Sequence, residues 1–272
     1  MEQANTKIKK LKAILNQDQL LQLAEQPTLK VGVDLGTSSI VLVVLDEHDE
    51  PLFGAFEYAR AVRDGLVVNY RDAVDCVKRL KAKAEASLSQ SLTKAAGAIP
   101  PGTIGNNKKV VANVIESAGM DAVAIVDEPT AAAAVLDIKN GAVVDVGGGT
   151  TGISVFNDGK VTYTADEPTG GFHMSLVLAG HYGCTVEEAE KRKREKEHAD
   201  INIEIMRPVI EKMAEIIRRH LEVAPSESIY LVGGATTGDG FMNIFSDYLK
   251  ASSVYHPLFP VLITPYGIAM YA

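Results

Sequence analysis

A strand that ends in aspartate, turns through glycine and threonine, and returns as a second strand occurs twice in this chain. No other sequence feature limits the fold as strongly. The first copy is Val31-Gly32-Val33-Asp34-Leu35-Gly36-Thr37, with Ile40 to Leu45 as the returning strand. The second is Val143-Val144-Asp145-Val146-Gly147-Gly148-Gly149-Thr150-Thr151, returning through Ile153 to Phe156. Each copy leads into a third strand, Leu52 to Phe56 or Lys160 to Tyr163, and then into helices. A weak internal repeat of this kind predicts a duplicated α/β fold, two lobes facing each other across a cleft.

The chemistry of the turns sets what such a cleft holds. Consecutive backbone N–H groups and hydroxyls in a Gly/Thr/Ser turn can cradle phosphate oxygens. An aspartate at the strand end cannot take phosphate itself, since both are anions. It can hold the water shell of Mg²⁺, which favours carboxylates and phosphates and keeps several waters. Three successive glycines between two β-runs are expected where backbone must approach something closely. A further glycine turn, Gly233-Gly234-Ala235-Thr236, ends the apolar run Ile229 to Val232.

Helical periodicity is read over Asp72–Leu88, Lys108–Ala118, Thr130–Leu136, Phe172–Tyr182, Val186–Glu197, Met206–Leu221 and Phe241–Leu249, with a last small helix from Pro265. Asp72 is taken as an N-cap and Pro208 as a first-turn residue. Residues 1–28 read as a helical N-terminal arm, with Ile8, Leu11, Ile14 and Leu15 at helical spacing and Leu20, Leu21 and Leu23 beyond. The arm is either packed on the body or free to dock a partner, and its deletion is expected to leave ligand binding in the cleft intact. The expected partition is lobe I over 29–141 with a C-terminal helix over 258–272, and lobe II over 142–257.

Composition excludes several function classes. A net charge of −8 argues against a general nucleic-acid binder, although Lys191 to Lys196 form a basic run. Cys76 and Cys184 stand apart in no metal-ligand spacing, as expected of reduced thiols. No apolar run approaches the ~20 residues of a membrane span, and no secretory leader is read, so a cytoplasmic protein is expected.

The order of the motifs resembles the actin/heat-shock-70/sugar-kinase superfamily. Val31–Val44 looks like its first phosphate hairpin, Asp127-Glu128-Pro129-Thr130-Ala131 like its first connecting helix, and Val143–Phe156 like its second hairpin. Tyr230–Thr236 looks like its adenosine motif and Pro265–Ala269 like its second connecting helix. Arg63-Asp64-Gly65 and Gly170-Gly171-Phe172-His173 are similar to bacterial actins. The resemblance covers residues 29–272 and is strongest to the chaperone-like proteins of ethanolamine utilisation. It implies an actin-like (ribonuclease H-like) ATPase fold with its small subdomains trimmed, binding ATP or ADP with Mg²⁺.

It also implies roles. Asp34 and Asp145 would hold Mg²⁺ through water. Gly36, Thr37 and Ser38 would meet the β- and γ-phosphates, and Gly147, Gly148, Gly149, Thr150 and Thr151 would wrap them from the other side. Glu128, with Asp145 and Thr150, would be catalytic. Gly233, Gly234 and Ala235 would pass beneath the α-phosphate and ribose. Glu190, Lys193 and Arg194 would either approach ribose and base or form a solvated helix face. No catalytic lysine aligns, so the expected activity is slow hydrolysis serving a conformational cycle. The expected role is chaperone, reactivation or assembly factor for a protein client or microcompartment component. The alternatives are a self-associating actin-like scaffold and a small-molecule kinase.

Overall fold

The computed structural model describes residues 1–17, 27–103, 105–250 and 253–272. Leu20, Leu21 and Leu23 of the arm lie outside the described residues. In chain order the elements are α1 (Glu2–Ile14), β1 (Lys30–Leu35), β2 (Ser39–Leu45), β3 (Pro51–Tyr58), β4 (Val62–Arg63), β5 (Leu66–Val67), α2 (Tyr70–Leu88), β6 (Lys94–Ile99), α3 (Asn106–Ser117), β7 (Asp121–Asp127) and α4 (Glu128–Leu136). The second half follows as β8 (Gly141–Val146), β9 (Thr151–Asn157), β10 (Lys160–Glu167), α5 (Gly171–Tyr182), α6 (Val186–Lys193), α7 (Ala199–Val223), β11 (Ser228–Val232), α8 (Phe241–Leu249), β12 (Ser253–Tyr255) and α9 (Ile263–Ala269).

The repeat becomes two sheets of the same plan. One runs β3-β2-β1-β6-β7 and the other β10-β9-β8-β11-β12. In each, three antiparallel strands are followed by two that pair in parallel. Asp34 pairs with Val41 and Asp145 with Gly152, so both aspartates end their strands at equivalent positions beside a hairpin tip.

The apolar runs of the central strands exist because both faces of each sheet are covered. In β2, Ile40, Leu42 and Val44 face a core made with α2 and α3. Val41, Val43 and Leu45 face the opposite way, into a core shared between the lobes. In the other sheet Ala142, Val144 and Val146 pack under α5, α7 and α8, while Val143 and Phe156 enter the shared core. Helices α4 and α9 fill that shared core and cross at backbone contact. A Cβ on Gly267 would lie 2.0 Å from the Ala131 carbonyl oxygen.

Helix α1 also belongs to the shared core, through Ala4, Ile8 and Leu11. Leu11 lies against Gly54, where a side chain would leave no room. Beyond the helix, Asn16 joins the open edge of β3: its N–H donates to Gly54 O at 2.8 Å and its Oδ1 accepts from Phe56 N at 2.9 Å. Lys7 and Lys10 reach the β2–β3 turn. Asn5 Oδ1 accepts from Leu258 N at 2.9 Å, in the segment that leads to α9.

Four local expectations are corrected. Asn69, not Asp72, caps α2: its Oδ1 accepts from Asp72 N at 3.3 Å. Pro208 lies inside α7, where it supplies no N–H to the preceding turn. The helix continues through it because Asn202, Met206, Ile210, Met213 and Ile217 form one buried stripe. Helix α6 stops at Lys193, and a separate 3-10 turn covers Lys196–His198. The last helix starts at Ile263, two residues before Pro265.

Candidate functional site

The two hairpin tips meet at one cavity of about 510 Å³ between the lobes. Of the residues expected at the site, Asp34, Gly36, Thr37, Ser38, Glu128, Asp145, Gly147, Gly148, Gly149, Thr150, Glu190, Lys193, Arg194, Gly233, Gly234 and Ala235 all line it. Thr151 does not. It is fully buried in β9 and its hydroxyl donates to Thr169 O at 2.7 Å.

The glycines are demanded by crowding. A Cβ on Gly148 would lie 2.6 Å from Ser38 Oγ, and one on Gly149 would lie 2.8 Å from Thr37 Oγ1. Gly233 has φ +95°, and a Cβ there would lie 2.4 Å from both Asp145 Oδ1 and Val146 O. Hairpin 2 is held from behind by the start of α5. Gly171 N donates to Gly147 O at 2.9 Å and Phe172 N to Gly148 O at 2.8 Å. His173 serves this turn structurally, its Nδ1 accepting from Gly170 N at 3.2 Å. Among the described residues, the backbone N–H groups of Thr37, Ser38, Gly148 and Gly149 meet no protein acceptor. Gly149 is buried, Thr37 and Gly148 are partly buried and Ser38 is exposed, and N–H groups left open along a cleft in this way fit an anion with several oxygens.

Below the hairpins the wall is acidic. Burial, with the nearby Asp145 carboxylate, pushes Asp34 up to about 7. Burial raises Asp145 to about 6, against the Thr264 hydroxyl that donates to its Oδ2. Glu128, the first residue of α4, is raised well above the usual carboxylate range by burial and by Asp145 and Asp34. Asp127 caps that helix, accepting from Thr130 N at 3.0 Å, and so fixes where Glu128 stands. Carboxyls raised together in this way lack positive charge, and a divalent cation is the counter-ion that suits them. Among the described residues no three acidic, histidine or cysteine groups gather tightly enough to ligate one ion directly.

Asp166 of β10 belongs to the same electrostatic group and was not singled out by the sequence. Partial shielding from solvent raises it to about 6, against the Thr150 hydroxyl and with Glu167 and Asp145 nearby. Thr264 was also missed, because a lone threonine carries no motif. The aspartate it donates to is the only signal of its role.

Helix α6 supplies the other wall. Lys193 Nζ donates to Glu190 Oε2 at 2.6 Å, Ser175 Oγ at 3.0 Å and Gly171 O at 2.9 Å. Burial lowers this ammonium below its ordinary range even beside Glu190. Arg194 stacks on Tyr58 of the opposite lobe, 4.8 Å from the ring centroid. Glu190 and Lys193 are partly buried and Arg194 is exposed, so the trio lines the cleft from its solvent-facing rim.

Comparison with known proteins agrees with this architecture. The chain is 40% identical over 246 residues to the ethanolamine utilization protein EutJ of Escherichia coli K12, covering 90% of this chain and 87% of that one. It superposes on the crystal structure of EutJ from Carboxydothermus hydrogenoformans with a TM-score of 0.93 at 45% identity, covering 100% and 99% of the two chains. A chain of the PilM–PilN type IV pilus biogenesis complex superposes with a TM-score of 0.70 at 15% identity, covering 90% and 98%. The family model for the type IV pilus assembly protein PilM matches residues 130–261, and that for MreB/Mbl matches residues 53–182. The fold is the actin-like ATPase fold that the motif order implied. Among the described residues no helix is long and apolar enough to cross a membrane.

Proposed function

This chain belongs to the EutJ family of ethanolamine-utilisation proteins, and from that membership we propose that it binds ATP with Mg²⁺ and hydrolyses it slowly, as a chaperone, reactivation or assembly factor for a partner in ethanolamine utilisation. The observation that carries the reading is the pairing of two glycine hairpins with three raised carboxyls, Asp34, Glu128 and Asp145, on one interlobe cavity.

The fit to such a ligand is chemical. Unpaired N–H groups at both hairpin tips suit phosphate oxygens, and the raised carboxyls suit a divalent ion held through its waters. When bound, Mg²⁺ neutralises phosphate charge and orients the phosphates. The protein's own part is then to position and to move a proton. Thr37, Ser38 and Thr150 offer hydroxyls, Asp34, Glu128 and Asp145 would release protons as they turn to a cation, and Glu128, once ionised, could accept a proton from water. Glu190 suits ribose hydroxyls as an acceptor, and Lys193, whose three N–H groups go to Glu190, Ser175 and Gly171, would give one up to meet a base edge.

Thermal shift tests the reading. Mg-ATP at about 100 times its Kd should stabilise the protein by about 2.7 kcal/mol, and ATP with a chelator should do much less. No shift with Mg-ATP would refute it. A second reading, a self-associating nucleotide-binding scaffold, draws on the MreB/Mbl match over residues 53–182. Sedimentation that depends on ATP would favour it, and a monomer with and without ATP would exclude it.

A further inference from the structure

We propose that Lys12, on the N-terminal helix α1, is a phosphate-binding residue of the nucleotide cleft, so that nucleotide ties this helix to the cleft wall. The inference rests on the nucleotide reading of the cleft and adds a residue outside all of its motifs.

Among the described residues four cations line the cavity: Lys12, Lys193, Arg194 and Lys196. Two of them are committed. Lys193 is held by Glu190, and Arg194 lies over the Tyr58 ring. Among the described residues, Lys12 and Lys196 meet no carboxylate. A nucleoside triphosphate brings several negative charges into a cleft that already holds Asp34, Glu128 and Asp145. Uncommitted ammonium groups on its wall are the chain's own means of offsetting them.

Placement distinguishes Lys12 from Lys196. Lys196 begins a short 3-10 turn. Lys12 follows Leu11, which is fully buried against Gly54, on a helix held in the shared core. A cation on a rigid element is better placed for a fixed ligand than one on a turn. Its ammonium sits 5.8 Å from the Phe259 ring centroid, near the outer limit of a cation–π contact, so the contact holds it weakly. Phe259 leads directly into Val261, whose Cγ2 packs over Gly234, the glycine expected beneath the α-phosphate and ribose. Lys12 therefore stands on the wall that continues from Gly233-Gly234. It can leave the ring for a phosphate oxygen, a stronger, charge-assisted partner.

The consequence reaches the helix. Toward lobe I, α1 is fixed by Leu11 on Gly54, by Lys7 and by Lys10. Toward the segment that leads into α9, its contacts are Asn5 with Leu258 and Lys12 with Phe259. Phosphate held by Lys12 replaces its weak ring contact with a charge-assisted one on that side.

Calorimetry with ATP, ADP and adenosine tests this on the full chain, comparing wild type with K12M and K12R. Expected are affinities for ATP and ADP about tenfold weaker in K12M, adenosine affinity unchanged, and near wild-type binding in K12R. Hydrogen exchange is the second readout: ATP should slow exchange across residues 2–14 in wild type, and adenosine should not. ATP binding unchanged in K12M, adenosine falling in parallel with ATP, or no protection of α1 by ATP would each overturn the inference. Wild type that binds none of the three ligands would overturn the nucleotide reading itself, a different result from wild type that binds and a K12M that binds equally.

Discussion

Asp145→Asn should make the ligand-free protein more stable while abolishing its response to Mg-ATP. Asp145 is 6% exposed, and burial lifts its carboxyl from 3.8 to about 6. At 1.36 kcal/mol per pH unit, the ionised form costs the folded state on the order of 3 kcal/mol. Relaxation of Asp34 and Glu128 around it reduces the usable gain to roughly 2 kcal/mol, and asparagine can still accept the Thr264 hydroxyl. The sign follows from proton uptake. Between about pH 4 and 6 the folded state binds a proton that the unfolded state has lost, so wild-type stability falls as pH rises through that window. Above it the full cost remains. At pH 8 the variant should melt roughly 4–8 °C higher than wild type, from about 2–4 °C per kcal/mol in chains of this size. Its stability should also vary less between pH 4 and 6. Differential scanning calorimetry across pH 4–8, with and without Mg-ATP, measures both. A variant that melts at or below wild type at pH 8, with the same pH slope, would refute the argument that the site stores electrostatic strain for a cation.

Two further predictions come from the same geometry. Mg-ATP affinity should weaken about tenfold from pH 8 to pH 6, because Asp34, raised to about 7, must lose its proton to face a cation. Asp34→Asn should flatten that dependence, and a titration series at fixed salt that stays flat in wild type would contradict it. Gly267→Ala should cost about 3 kcal/mol or more in urea denaturation, because its Cβ would enter the Ala131 carbonyl. A loss below about 0.5 kcal/mol would show that α4 and α9 slide freely.

The hairpins were legible in the sequence because their requirement is local. An Asp at a strand end followed by Gly and Thr is a backbone constraint written in consecutive residues. The strands β4, β5 and β12 are two or three residues long and carry no periodicity to read. Strand β6 is built from Lys94-Ala95-Ala96-Gly97-Ala98-Ile99. Its residues are small because Val111, Ile115 and Ile125 press on Gly97, and that tertiary demand erases the β-branched signature of a strand. The motif residues of the site were found by their neighbours in sequence. Lys12, Asp166 and Thr264 have no such neighbours and reach the site only through folding. The span of α7 was underestimated because Pro208 reads as a helix start, whereas its buried stripe outweighs one missing hydrogen bond.

The crossing of α4 and α9 has a mechanical consequence. Two helices in backbone contact at Gly267 and Ala131 cannot translate past each other without separating. If the two sheets move against each other, rotation with this contact as its bearing is the motion the crossing leaves open. Displacement then grows with distance from the bearing. Probes near Ala131 or Gly267 would record almost no travel, whereas a pair of labels near Tyr58 and Arg194, on opposite rims, would record the most.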